Sequence, residues 1–529
     1  MTHHAALVAS GILLSRIAGL VRDRVFAHYF GNSDAADAFR AAFRIPNLLQ
    51  NLFGEGVLSA SFIPVYANLL ARQAEDEADQ VASAVFCLLS LVVSCLVLIG
   101  VLATPLLIDT IAPGFKGVKR ELTIDLVRIL FPGAALLAMS AWCLGILNSH
   151  RRFFISYVAP VAWNLVMIAS LIGFGSYLEQ FPLTKALAWG SVVGSALQFG
   201  VQLPQVTHLV RRFRVSMGLA MESIQTVIRN FIPVFISRGV VQISAYVDAL
   251  LASLLPSGAL AALVYAQTLY TLPVSLFGMS ISAAELPALS SALGEPNEVK
   301  SFLCNRLNAG LRQIAFFVIP SAIAFLALGD VIAAAIYQTG QFTQHDSVYV
   351  WAILAGSAVG LLATTLGRLY SSVYYALRDT RTPLRYAVLR VSLTAVLGYI
   401  CALPLPLFLG LNPRWGVVGL TASAGLAGWL ELALLRNSLK WRIGKTGLSI
   451  SFIFKLWIAA GAGAVAGWGA KLTMNLSHPI SLAIVSLGLY GAVYFGIATA
   501  FHVPEAEKLI DAVTRLAATR QLDKKKDEW

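Results

Sequence analysis

Charged side chains are scarce in this sequence. Asp, Glu, Lys and Arg make up 12% of its 529 residues, about half the share usual in a soluble domain. That shortage excludes the string of soluble domains that the length alone would permit. Cysteine is nearly absent too. The five present, Cys87, Cys95, Cys143, Cys304 and Cys401, lie in apolar stretches and form no CxxC pair. A disulfide framework and a thiolate metal site are thereby excluded, and the cysteines read as small hydrophobes. The eight histidines show no HExxH and no paired ligand spacing, so nothing supports a metal hydrolase. A P-loop is missing, and with it any sign of intrinsic ATP hydrolysis. The amino-terminal stretch has no cleavage-site pattern of a signal peptide. No connection is long enough for a folded soluble domain. No cofactor is expected, and energy has to come from an ion gradient or the membrane voltage.

What is abundant is apolar sequence: 57% of the residues are hydrophobic and the mean hydropathy is +0.73. Runs of about 20 apolar residues are long enough to cross a bilayer as helices. They fall near 5–29, 35–70, 82–112, 122–147, 156–178, 184–208, 224–254, 258–290, 304–328, 346–376, 384–409, 415–437, 451–473 and 479–502. The expected fold is an all-α polytopic membrane protein with fourteen transmembrane helices. The net charge of +12, which in a soluble protein would suggest nucleic acid, has to be read by position here. With the amino terminus in the cytoplasm, inner connections and the tail hold 21 Lys and Arg, from Arg72 to Lys526, against 6 outside. The six are Lys116, Lys119, Arg120, Lys185, Arg414 and Lys471. The positive-inside rule then places both termini in the cytoplasm, with membrane lipids as neighbours and no nucleic-acid partner. The basic connection near 209–223 is expected at the interface.

A weak internal repeat is visible. Ser15-Arg16 recurs as Ser237-Arg238, Phe53-Gly54 as Phe277-Gly278, and Pro64 as Pro287, at nearly constant offset. Two pseudo-symmetric six-helix lobes are expected, 1–210 and 222–440, followed by two extra helices at 451–502 and a tail at 503–529. Repeats of this kind are a transporter plan. Three GxxxG matches, at Gly190–Gly194, Gly356–Gly360 and Gly463–Gly467, read as helix-packing contacts or coincidence.

The informative residues are charges inside the first two segments: Arg16, Arg22, Asp23 and Arg24, then Asp37, Arg40, Arg44 and Glu55. Each would cost about 2.5–3.5 kcal/mol facing lipid. They must therefore pair, snorkel, or line a hydrated cavity, and a water-filled vestibule is the favoured reading over a ladder of salt bridges. Asp37, Arg44 and Glu55 return to one helical face, Asp37 to Glu55 being five whole turns. Pro46 is expected to kink that helix, and Gly19 marks a place where the first helix could bend. Arg238 and Arg368 are lone intramembrane arginines, and Asp248 is a further candidate for the same cavity. A guanidinium-lined cavity suits a diphosphate, which each planar fork can bind in bidentate fashion.

Several of these residues stand in recognisable motifs. Ser15-Arg16 through Arg22-Asp23, Asp37-Ala38-Phe39, Pro46-Asn47-Leu48-Leu49, Gly54-Glu55-Gly56 and Phe62-Ile63-Pro64 resemble the amino-terminal signature of the MurJ/MviN lipid II flippase family. So do Ile146-Leu147-Asn148 with Phe153, Ala159-Pro160 and Asn164, and the run Tyr374 to Pro383. The resemblance implies two lobes with an alternating cavity in a bacterial inner membrane. It implies a lipid substrate, undecaprenyl-diphosphate bearing a disaccharide-pentapeptide, and cell-wall synthesis proteins as possible partners. It implies that Arg16 and Arg22 hold the diphosphate, with Asp23, Asp37, Asn47 and Glu55 also on motif positions, and that 451–502 forms a groove for the lipid tail. Two departures stand out. Tyr265-Ala266 is followed by Gln267-Thr268 where some members carry Asp-Arg, and Gln50 replaces an expected Arg. Arg238 and Arg368 are the candidates to supply cation elsewhere, and Arg44 is a further candidate for substrate binding.

The expected function is therefore a flippase, not an enzyme. The alternatives are an exporter of another polyprenyl-diphosphate-linked glycan, a membrane-embedded glycosyltransferase, or a scaffold. A glycosyltransferase needs clustered carboxylates on sizeable loops. The acids of the outer loops, Asp109, Glu121, Asp330 and Asp346, are scattered along short ones. A scaffold has no use for so many internal charges.

Overall fold

A computed structural model describes residues 2–53, 55–291, 295–474, 476 and 478–511. The chain is helical almost throughout. In order the helices are α1 (Thr2–Phe30), α2 (Asp34–Phe53), α3 (Glu55–Ser61), α4 (Ile63–Ala71), α5 (Glu75–Leu102), α6 (Thr104–Ile111), α7 (Gly117–Ser149), α8 (Phe153–Gly175), α9 (Gln180–Leu209) and α10 (Glu222–Ser253). They continue as α11 (Ala259–Pro273), α12 (Ser280–Ser290), α13 (Pro296–Tyr337), α14 (Gln344–Ala376), α15 (Arg381–Ala402), α16 (Pro404–Phe408), α17 (Gly416–Ile443), α18 (Ile450–Thr473) and α19 (Pro479–Ala500). Among the described residues the one β-type feature is an isolated bridge between Thr339 and Phe342.

Ten helical stretches of the described residues are long and apolar enough to cross a membrane. α1, α9 and α10 have the length, at 29, 30 and 32 residues, but are not among those ten. Several expected segments are divided. The segment expected at 35–70 is interrupted at Phe62, where α4 begins, and that at 82–112 is α5 followed by α6, where Pro105 opens a new helix. α1 runs as unbroken helix through Gly19, with no unwound turn there. α2 likewise continues through position 46 as helix, and the Pro46 side chain lies outside the described residues.

The segment at 258–290 is interrupted by a π-helical turn, Val274–Met279, that contains Phe277-Gly278. π-turns inside α-helices often mark functional positions.

Packing divides the chain into two compact units, 1–261 with 339–343, and 262–338 with 344–529. α10 therefore packs with the first unit, although the sequence repeat begins a new lobe near 222.

The core of the first unit gathers Phe62, Tyr66, Val81, Trp142, Ile146 and Val206. Trp142 Nε1 donates to the Ala82 carbonyl at 3.0 Å, which joins α7 to α5. The connection after α9 is extended rather than helical, and it is strapped to the start of α5. Arg212 donates its backbone N–H to Asp79 at 3.0 Å and pairs with Asp76 at 2.7 Å.

In the second unit, Pro320 lies inside α13. Lacking an N–H, it deprives the Phe316 carbonyl of its helical donor. The Tyr494 hydroxyl of α19 donates to that carbonyl at 2.5 Å, and Tyr490 donates to Pro320 O at 2.6 Å. The last helix pair is thus fastened where α13 is short of a donor.

The glycine motifs are packing contacts. A Cβ on Gly360 of α14 would strike Gly425 of α17, and one on Gly463 of α18 would lie 2.8 Å from the Tyr490 carbonyl of α19.

Candidate functional site

In the first unit two of the expected charges, Arg22 and Arg40, meet at one carboxylate, that of Asp23. Arg22 of α1 donates from Nη2 and Nε to Asp23 Oδ1 at 3.0 and 3.3 Å, and from Nη1 to Asn164 Oδ1 of α8 at 3.1 Å. Arg40 of α2 donates to the same Asp23 oxygen from Nη2 and Nη1 at 3.3 and 3.4 Å. Both guanidiniums also rest on rings: Arg22 lies 5.1 Å from the Trp163 centroid, and Arg40 4.3 Å from that of Phe26. α8 is set by its neighbour. A Cβ on Gly194 of α9 would fall 2.8 Å from Trp163 Cδ1, so the small residue is what lets the indole sit there. Trp163 Nε1 in turn donates to the Ser191 carbonyl at 3.1 Å.

Two cations share one anion, so the cluster keeps an excess of one positive charge. Its members differ in access. The side chains of Asp23 and Arg40 are 7% and 9% exposed, that of Arg22 is 17% exposed, and Arg16 lies exposed on α1. Arg16 and, in part, Arg22 are therefore the accessible cations of this group. Arg40 is a buried structural partner instead. The reason is the single carboxylate of Asp23: burying it requires cations close by, and Arg40, one helix away, is the deeper of the two. Arg22 spends three of its five N–H groups on Asp23 and Asn164, and the rest of the fork remains for a ligand.

Asp37 belongs to a different place. Its Oδ2 accepts from Lys119 Nζ at 2.6 Å and from the Gly258 N–H at 2.8 Å, and its Oδ1 accepts from the Ala261 N–H at 2.8 Å. Lys119 also pairs with Asp34 at 2.8 Å. Buried and fully engaged, Asp37 anchors the start of α2 to the amides that open α11. Of the expected one-face stripe, Asp37 and Arg44 lie on α2, and the Glu55 side chain lies outside the described residues.

Arg44 and Asn47 are half-buried on α2. The Arg44 carbonyl accepts from the Tyr246 hydroxyl of α10 at 2.9 Å, and the Asp248 carboxylate attracts its side chain. The side chains of Glu55 and Arg238 lie outside the described residues. Arg368, on α14 of the second unit, is exposed and is not part of the first unit's cluster.

Sequence reasoning missed the part played by Trp163, and named Asn164 only as a motif position. A lone Asn in an apolar run was the available signal.

The motif from Tyr374 to Pro383 builds the turn between α14 and α15. Arg378 takes a left-handed φ of 58°. Asp379 Oδ1 accepts from the N–H groups of Arg381 and Thr382, each at 3.0 Å, and its other oxygen accepts from Thr382 Oγ1 and Arg442 Nη2, each at 2.7 Å. Those bonds, the Thr382 hydroxyl first, pull the Asp379 carboxyl down to about 2. At the corresponding turn of the first unit Arg151 has φ 59°, and His150 Nε2 lies 3.1 Å from the hydroxyl of buried Tyr66. Burial holds the His150 imidazole below its ordinary value.

A family model described as lipid II flippase MurJ matches residues 26–488. A probable lipid II flippase MurJ of Rhizobium tropici is 33% identical over 437 residues, 81% of this chain and 79% of that protein. The lipid II flippase MurJ of Burkholderia cenocepacia is 29% identical over 513 residues, 93% of this chain and 96% of its own. Among solved structures, a lipid II flippase MurJ in an inward closed conformation is similar with a TM-score of 0.78 at 24% identity, covering 96% of this chain and 100% of that one. An inward-facing multidrug transporter of the MATE family, MOP superfamily, gives 0.65 at 18%, covering 83% and 98%. At these identities the structural likeness speaks for the fold.

Proposed function

We propose, from the premise that this chain belongs to the MurJ family of lipid II flippases, that it carries lipid II from the cytoplasmic to the outer leaflet of a bacterial inner membrane by alternating access. It is a multi-pass membrane protein of a transporter family. On this reading α1, α2 to α4, α9 and α10 complete fourteen crossings with both termini in the cytoplasm. The observation that carries the site assignment is Arg22, set by Asp23 and Asn164 with part of its fork uncommitted. The diphosphate meets exposed Arg16 first and then Arg22, whose geometry is fixed before the ligand arrives, so little ordering entropy is lost on binding. Asp23 supplies the restraint, Arg40 neutralises Asp23, and Asp37 holds the scaffold. Arg44, Asn47, Glu55 and Arg238 stand as further members of the path. α18 and α19 carry the groove for the lipid tail.

Transport needs no resident cofactor or catalytic step on this reading. The membrane potential acts on any net charge moved, at about 2.3 kcal/mol per charge per 100 mV, and a coupling ion would add to it. Cell-wall synthesis proteins are the natural consumers of the product. The test is translocation in reconstituted vesicles, with lipid II set against an O-antigen precursor on the same polyprenyl diphosphate. Movement of lipid II is the expected result. Movement of the O-antigen precursor with lipid II left behind would overturn the reading.

A further inference from the structure

The second unit holds charges that transport through the first unit leaves unused. Arg390 of α15 and Glu431 of α17 meet with Nε 3.0 Å from Oε2. Both interrupt apolar runs, Val388-Leu389-Arg390-Val391 and Trp429-Leu430-Glu431-Leu432, and each would be costly against lipid. Arg390 lies nine residues into α15, about 13 Å along its axis from Arg381. Glu431 lies about 18 Å before the end of α17, and Arg368 about 12 Å before the end of α14. These three helix ends share the cytoplasmic side in the charge-derived topology. The three groups therefore occupy one layer, a third to somewhat over half of the way into a hydrocarbon core of about 30 Å. The charges of Arg390 and Arg368 are both felt at the Glu431 carboxylate and at the Tyr270 hydroxyl.

Three features distinguish this group from an inert salt bridge. Two cations stand against one anion. The group is open: the Arg390 and Glu431 side chains are 32% and 18% exposed, and Arg368 is exposed outright. The contact is also ionic rather than a closed hydrogen bond, because Arg390 Nε has no hydrogen-bond partner among the described residues. A guanidinium with donors to spare, beside a second arginine, is a recognition surface for phosphate oxygens.

We propose that Arg368, Arg390 and Glu431 form a second station for a lipid-linked phosphate within unit 2, with Glu431 occupying Arg390 until the phosphate displaces it. This rests on the flippase reading and assigns to that transport two residues, Arg390 and Glu431, that belong to none of the recognised motifs. The shared chemistry is a phosphate on a lipid, which a polyprenyl diphosphate or an ordinary phospholipid could supply.

The experiment measures binding of undecaprenyl diphosphate to the full chain in lipid nanodiscs, with phosphatidylglycerol and undecaprenol as competitors. Removing the competing anion with Glu431→Gln tightens binding roughly tenfold, and Arg390→Gln or Arg368→Gln weakens it by a similar factor, as expected for one charge-assisted contact. Neither competitor displaces the diphosphate. An inert pair gives the opposite pattern: Glu431→Gln and Arg390→Gln lower thermal stability alike and leave affinity alone. That outcome overturns the station, and equal competition by phosphatidylglycerol assigns its phosphate to the bilayer and overturns its part in transport. Arg368 lies outside the ion pair and on the surface, so its variant stays informative if the pair variants fail to fold. Translocation of lipid II by the wild-type chain is measured alongside. If the wild type does not move lipid II, the flippase reading falls. If it does, and the three variants bind as the wild type binds, the station alone falls.

Discussion

Asp23→Asn isolates the electrostatics of the first unit. The wild-type carboxylate neutralises two guanidiniums through one oxygen, at 3.0 Å from Arg22 and 3.3 Å from Arg40. The amide is nearly the same size, so packing is preserved and only the charge is lost. Arg22 and Arg40 are then left as like charges, one of them 9% exposed, where solvent screens little. Removing one partner of a buried ionic group costs about 3–5 kcal/mol. Arg22→Gln is the contrasting change. It leaves Arg40 and Asp23 as a neutral pair and forfeits hydrogen bonds worth about 1.5–3 kcal/mol at most, less where the side chain is partly solvated. Denaturant unfolding of both variants in one detergent gives the comparison. The expected order is wild type, then Arg22→Gln close behind, then Asp23→Asn well below. An Asp23→Asn protein within about 1 kcal/mol of wild type would refute the reasoning, since the penalty rests on two guanidiniums losing the carboxylate they share.

Other changes test other parts of the fold. Gly194→Val places branched carbons where a Cβ already falls 2.8 Å from Trp163. It should cost about 1–3 kcal/mol through overpacking and lower transport by displacing the ring under Arg22, as read by unfolding and vesicle assays together. Arg378→Gly relieves a left-handed φ of 58° at an exposed turn and should stabilise the protein by about 1 kcal/mol, visible as a raised melting temperature. His150 is held below its ordinary value by burial, so the unfolded chain takes up the proton first as pH falls. Its contribution to stability is complete above about pH 6.5 and declines as pH drops toward the folded value. Melting temperature should therefore rise between pH 5.5 and 7.5, with a shallower slope in His150→Gln.

Much of this architecture is legible in one dimension because a bilayer makes hydropathy decisive. The spans from Gly117 to Ser149 and from Gln344 to Ala376 follow directly from apolar length. The glycine spacing at Gly356 and Gly360 likewise announces a close helix crossing, which α17 supplies. What stays hidden depends on helix rotation and on neighbours far along the chain. Asp23 and Arg40 are 17 residues apart on different helices, and only the packing of α2 against α1 makes them partners. Asp37 has the sequence appearance of a cavity acid, yet it is consumed by Lys119 and by two backbone amides more than 200 residues away. Arg390 and Glu431 were each visible as a lone charge in an apolar run, but their significance comes from being paired.

The most direct measurement of the central claim is lipid II affinity in Arg22→Gln against wild type, at matched thermal stability and in vesicles of the same composition. A loss of roughly tenfold or more is expected, the value of one bidentate charge-assisted contact, with vesicle translocation falling in parallel. Unchanged affinity and unchanged transport in a folded Arg22→Gln protein would contradict a diphosphate-binding role for this arginine.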